Sequence, residues 1–259
     1  MSFLDIAVSA AKKAGAVHLG LREGGNIVHT KSAHYDRVTT ADTESQGVII
    51  AEIERNYPNH AILAEEKGSQ DRNSEYTWII DPLDGTNNYS RGLPFFAVSI
   101  AVADSEGMHT GVVYAPVMNE LFTAERGRGA FLNGAPITVS KVDALRDSMI
   151  FTGFYYDRDE SMRETLRHIE HFFEQGIIGL RRFGAASLDI CYIAAGRADG
   201  FFEHFLSPWD FAAGSLVLEE AGGRISDYRG SPLGIRSSDV IVSNGDIHGD
   251  MLSIIGREK

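Results

Sequence analysis

Trp78-Ile79-Ile80-Asp81-Pro82-Leu83-Asp84-Gly85-Thr86 runs from three apolar residues into two acids that stand three apart. The apolar trio predicts a buried strand with Asp81 at its end, projecting from the sheet edge. Pro82 stiffens the exit and Gly85 permits a tight turn. Asp81 and Asp84 can then converge on one point, with the Leu83 carbonyl between them. Two carboxylates and a carbonyl make a hard oxygen site, which suits Mg²⁺ better than zinc. A short helix beginning at Gly85-Thr86 would turn free N–H groups toward an anion at the same place. An Asp-Pro or Asp-Gly turn uses the same residue types, so the position after an apolar strand is what favours a site.

Upstream, Phe3, Ile6, Ala7, Ala10, Ala14, Val17 and Leu21 recur at helical spacing, and Gly24-Gly25 supply a stop. A second helix is predicted over 43–56, followed by the short strand Ala61-Ile62-Leu63-Ala64, which runs into Glu65-Glu66. From Phe95 to Val139 the pattern becomes a β-meander punctuated by Gly, Asn and Pro. Residues 139–147 read as a connection, giving an N-terminal half over 1–145 and a C-terminal half over 146–259. The second half alternates strands at 149–152, 177–183, 199–203 and 240–243 with helices at 159–174, 185–195, 209–221 and 246–255. Acids gather at strand ends in a layered α+β architecture.

Composition narrows the function. Of 259 residues, 43% are hydrophobic, enough for a large core, and the net charge is −12. Binding to a nucleic-acid backbone needs concentrated Lys and Arg, and Arg181-Arg182 is too short to count. Cys191 is the single cysteine, which excludes intrachain disulfides and Cys-based zinc sites. The first segment lacks an apolar core with a small-residue cleavage site, and no run approaches the roughly 18 apolar residues of a membrane span. A cytoplasmic enzyme without membrane or nucleic-acid partners is expected. His18, His34, His60, His168, His171, His204 and His248 show no ligand spacing and read as structural.

Four motifs, in order, extend the first stretch: Thr39-Thr40-Ala41-Asp42, Ala64-Glu65-Glu66, Trp78 to Tyr89, and Ser207-Pro208-Trp209-Asp210-Phe211-Ala212-Ala213-Gly214. Together they resemble the inositol monophosphatase family of lithium-sensitive, Mg²⁺-dependent phosphatases, over essentially the whole chain. The resemblance implies a layered α-β-α-β-α sandwich of the inositol monophosphatase and fructose-1,6-bisphosphatase type, usually dimeric. It implies that Glu65, Asp81 and the Leu83 carbonyl hold one Mg²⁺, and that Asp81, Asp84 and Asp210 hold a second. A third would arrive with substrate. Thr86, Asp42 and Glu65 are the catalytic residues it implies, Thr86 and Asp42 as a hydroxyl–carboxylate pair that orients water.

The substrate would lie against Asp84, Gly85, Thr86 and Asp210, with selection by the second half. There Gly184-Ala185-Ala186 opens a helix whose N–H groups face the ligand, Glu203 accepts hydrogen bonds from polyol hydroxyls, and Arg181 approaches. Many relatives have Thr where this chain has Ala185, so a hydroxyl contact is missing. The residue types also allow Asp210 as a helix N-cap, Asp42 as a first-turn acid, and Lys31 and Arg181 as solvated side chains. Lys31 otherwise matches a family lysine beside the metal site.

The expected reaction is hydrolysis of a small phosphate monoester, myo-inositol monophosphate first, by in-line attack of water. Other candidates are fructose 1,6-bisphosphate, histidinol phosphate and 3′-phosphoadenosine 5′-phosphate. Asn87-Asn88-Tyr89 favours the inositol branch by resemblance. A reading from another class is a regulatory binding protein that keeps the fold.

Overall fold

The computed structural model describes residues 1–24, 28–30, 37–66, 68–155 and 159–256. Lys31 and His34 therefore lie outside the described residues. The helix Phe3–Gly24 follows the predicted spacing. The helix Thr40–Asn56 starts three residues before the expected position, because Thr39 and Asp42 form a capping box that satisfies its first turn.

An eight-stranded sheet runs in the order Ala135–Pro136, Ala130–Leu132, Glu120–Glu125, Gly107–Ala115, Ala97–Asp104, Thr77–Asp84, Ala61–Ala64, Gly68–Gln70. Its two faces can be read from alternate residues. Trp78 and Ile80 bury with Ile6, Ala10, Ile49 and Ile53 of the first two helices. Ile79 points the other way, into a core shared with the helices Ala186–Ala194 and Pro208–Glu220.

Those two helices form the middle layer. Pro208–Glu220 is apolar on nearly every side, as a helix between two sheets must be. It lies so close to the strand Gly107–Ala115 that a Cβ on Gly111 would come within 2.6 Å of the Ala213 carbonyl oxygen. Beyond it, a five-stranded mixed sheet runs Gly179–Arg181, Met149–Thr152, Gly200–Leu206, Ser238–Ser243, Arg224–Ser226. Phe201, Val240 and Val242 face the middle helices. Phe202, Ile241 and Ile150 face outward, toward the layer of Glu160–Glu174 and His248–Ile255.

The fold is thus a layered α-β-α-β-α sandwich. The short strands Gly68–Gln70 and Arg224–Ser226 escape sequence reading because three residues carry no measurable periodicity. Cys191 is buried in the middle layer, as a small core residue. Among the described residues no helix is long and apolar enough to cross a membrane.

Candidate active site

The predicted strand end at Asp81 is instead a bulge, and the strand continues to Asp84. Asp81 pairs with Ser99 and Asp84 with Ala97, so three steps on one strand match two on its neighbour. In an unbroken strand, residues three apart point to opposite faces. The extra residue restores the parity and turns both carboxylates toward the middle helices. Pro82 has no N–H to give to the ladder, and the bulge accommodates it. Asp81 Oδ1 accepts the Leu83 N–H at 2.9 Å, which fixes the turn internally. Gly85 follows at φ 91°, where a Cβ would stand 3.0 Å from the Phe95 carbonyl oxygen, and the helix Thr86–Ser90 begins.

Three helix starts supply the remaining geometry. Asp42 is buried at the third position of its helix, where Oδ2 accepts from the Thr39 N–H and hydroxyl at 2.7 and 2.6 Å. Its other oxygen accepts from the Thr86 hydroxyl at 2.9 Å. Asp84 Oδ2 accepts from the Ser187 N–H at 2.7 Å and its hydroxyl at 2.6 Å, at the start of Ala186–Ala194. Asp210 is the third residue of Pro208–Glu220, not its N-cap; Ser207 is the cap and donates its N–H to Asp210 Oδ2 at 2.7 Å.

These elements surround a cavity of ≈ 280 Å³ lined by Glu65, Asp81, Leu83, Asp84, Gly85, Thr86, Gly184, Ala186, Glu203 and Asp210, among others. A second bulge shapes the opposite wall. Glu203 pairs with Val240 and Leu206 with Ser238, again three steps against two. Glu203 owes its place to a glycine: a Cβ on Gly153 would sit 1.8 Å from its Oε2.

The electrostatics are those of crowded, desolvated acids. Burial, then Glu65, Asp84 and Asp210, push Asp81 well above the usual carboxylate range. Burial raises Asp84 to about 6, and the Ser187 donors restrain it. Asp210 is raised well above its usual value by burial, then by Asp84 and Glu65. Burial lifts Glu203 to about 8. Among the described residues no three acidic, His or Cys side chains already stand as a finished ligand cluster. The donor set nevertheless fits a hard divalent cation: it is all oxygen and it gathers several acids in one buried cavity, where a cation would offset both the desolvation and the mutual repulsion.

Asp42 is fully buried and is not among the cavity-lining residues; its link to the lining runs through the Thr86 hydroxyl. Ala185 is also fully buried and lies outside the lining, between its neighbours Gly184 and Ala186. Arg181 is exposed, with Nη1 turned back to the Leu180 carbonyl at 2.9 Å, whereas Arg182 lines the cavity. One residue beyond Gly184-Ala185-Ala186, the Ser187 N–H is given to Asp84. Glu66 lies outside the lining and gives its N–H to Gln46 Oε1 at 3.0 Å.

Sequence reasoning missed Ser187, Asp189, Arg182, Tyr155 and Phe205. Asp189 sits buried behind Asp84 and is raised well above its usual value by burial, then by Asp84 and Glu203. An acid inside the apolar run of Ala186–Ala194 was the one available signal. His18 is buried against Ser45 at 3.2 Å, and burial depresses it to about 3, a structural histidine as expected.

A five-layer sandwich with carboxylates converging from bulged strands and a helix start defines the class of the molecule. The chain belongs to the inositol monophosphatase family, whose model matches residues 1–258. It is 40% identical to Nus factor SuhB of Vibrio cholerae over 243 residues, 93% of this chain and 91% of that protein. The solved inositol monophosphatase from Anabaena superposes with a TM-score of 0.88 at 39% identity, covering 98% of this chain and 95% of the other. An IMPase/NADP phosphatase complexed with Mg²⁺ and phosphate superposes with a TM-score of 0.84 at 25% identity, over 95% of this chain and 92% of that one.

Proposed function

We propose that this chain is a Mg²⁺-dependent phosphatase that hydrolyses a small phosphate monoester, myo-inositol monophosphate first, by direct attack of water. The observation that carries the reading is the convergence of Glu65, Asp81, Asp84 and Asp210 on one cavity, where burial and the neighbouring acids raise Asp81 and Asp210. Family membership and the Mg²⁺-complexed neighbour support it. Glu65, Asp81, the Leu83 carbonyl, Asp84 and Asp210 would hold two ions, with a third joining alongside substrate. Bound there, the cations supply charge neutralisation for the phosphoryl oxygens and the leaving alkoxide, and make water more acidic.

The chain's own groups do the positioning. The Thr86 hydroxyl hydrogen can serve either Asp42 Oδ1 at 2.9 Å or the Leu83 carbonyl at 3.0 Å. Engaging that carbonyl elsewhere commits the hydrogen to Asp42, and the Thr86 lone pairs are left to accept from the attacking water. Glu65 lines the same cavity and is the second acceptor for a water proton. Glu203 would accept from hydroxyls of the alcohol, with Gly85, Gly184 and Ala186 lining the same cavity. In this division the half 1–145 brings most of the charge, and the half 146–259 brings Asp210 and selection. A homodimer and lithium inhibition belong to the same reading.

The test is phosphate release from both enantiomers of inositol 1-phosphate, fructose 1,6-bisphosphate, histidinol phosphate and 3′-phosphoadenosine 5′-phosphate, with and without Mg²⁺. Release should require Mg²⁺ and be greatest for an inositol phosphate. An Asp84→Asn variant with undiminished release would sink the proposed chemistry. The name Nus factor carried by relatives motivates a second reading, a regulatory binding protein that keeps the fold. It would gain if the wild type released phosphate from none of the panel.

A further inference from the structure

Phe205 is a bulky residue held at φ 56°, in the left-handed region where glycine is at ease and a side chain is strained. Burial does not explain it, because the residue is 46% exposed. The bulge between Glu203 and Leu206 requires the turn, and Asp239 holds it there. One oxygen of Asp239, Oδ1, accepts the Phe205 N–H at 3.1 Å and lies 3.2 Å from His204 Nδ1. The effect is to present the ring at the cavity, beside Tyr155, with centroids 5.1 Å apart and planes at 57°. Tyr155 is itself 37% exposed and lines the same cavity. Strain kept beside a ligand cavity, with a glycine alternative available at no steric cost, is strain with a use.

We propose that Phe205 and Tyr155 form an aromatic wall that receives the ring of a cyclic alcohol, so that the site prefers phosphate monoesters of cyclitols or sugar rings to open-chain ones. The inference rests on the phosphatase reading and adds to it the residues that choose the alcohol. A cyclic polyol has a rigid carbon-bound face and a rim of hydroxyls. The two aromatic rings meet the first, by dispersion and the negative π-face. Glu203, two residues before Phe205 on the same bulge, meets the second. An open-chain polyol offers no rigid face and must lose torsional freedom to imitate one.

The experiment compares wild type with Phe205→Gly on inositol 1-phosphate and glycerol 2-phosphate, at saturating Mg²⁺, with melting curves for both proteins. Glycine accepts the observed φ, so the variant should melt at the same temperature or higher. Its KM for inositol 1-phosphate should rise about three- to ten-fold, the loss of one aromatic contact. Its KM for glycerol 2-phosphate and kcat for both substrates should hold. Equal KM changes for the two substrates, or none, would overturn the wall. So would a melting temperature well below wild type, which would make the ring a packing residue. Release from neither substrate by wild type would sink the phosphatase reading itself, and the wall with it.

Discussion

Asp42 grips Thr86 with one carboxylate oxygen and the start of its own helix with the other, at 2.9 Å to the Thr86 hydroxyl and 2.7 Å to the Thr39 N–H. The two duties are separable. Thr86→Val removes the first, with the alternative bond to the Leu83 carbonyl, and should lower kcat on the scale of lost acid–base assistance, about 10²–10⁴-fold, with a stability loss of about 1 kcal/mol. Asp42→Ala removes both and should lose about 1 kcal/mol more, because its half of the capping box with Thr39 goes too. Equal stability losses in the two variants would show that the pair is merely a brace.

Gly153→Ala tests the seat of Glu203. The new methyl would fall 1.8 Å from Oε2, at the free end of a side chain that can swing aside. Folding should therefore be little changed, while KM for a polyol phosphate rises because the acceptor has moved. A melting curve beside a KM measurement decides it, and an unaltered KM would exclude Glu203 from alcohol recognition.

Gly85→Ala should behave differently. At φ 91° any Cβ is strained, by about 1–2 kcal/mol, and this one meets the Phe95 carbonyl oxygen at 3.0 Å, where backbone cannot yield cheaply. Stability and phosphate release are expected to fall together, because Asp84 and Thr86 flank the displaced residue. A variant as stable as wild type in urea would contradict the strain argument.

The crowded acids give the metal-free protein a pH signature. Glu203 is raised from 4.5 to about 8 by burial, so the folded state holds its proton more tightly than the unfolded chain. Its contribution to stability is complete below pH 4.5 and declines as pH rises toward about 8. His18 has the opposite sign: depressed from 6.5 to about 3, it favours folding above pH 6.5 and withdraws that support as pH falls. Thermal melts in chelator should show Glu203→Gln flattening the decline on the alkaline side. Added Mg²⁺ should raise the melting temperature more at pH 8 than at pH 5, because protonated carboxylates compete with the cation. Equal shifts at both pH values would mean the acids do not bind it.

Much of the architecture was legible because helices and long strands write their buried faces into the sequence at fixed periods. Ile79 and Ile80, adjacent in sequence, belong to two different cores, as alternation requires. The acids that line the cavity stand out by position rather than by residue type: Asp81 and Asp84 follow an apolar strand, and Asp210, which taken alone reads equally well as an N-cap, lies in a longer motif. Ser187 and Arg182 do not stand out: Ser187 is one hydroxyl among many, and Arg181 and Arg182 are adjacent and both exposed, so nothing local sets one apart. What selects them is proximity to Asp84 and to the cavity, across about a hundred residues of chain.

The segment from Trp78 to Thr86 by itself determined the chemistry on offer: a buried strand, hard oxygen donors and a turn that only Gly85 makes easily. Its composition could not say which way the acids point, because three residues along a regular strand lead to the opposite face. The bulge against Ser99 and Ala97 decided that, and the bulge against Val240 and Ser238 decided the outlook of Glu203 and Phe205. A bulge is a property of two paired strands, set by which hydrogen bonds the partner offers, and so it exists only once the sheet has formed.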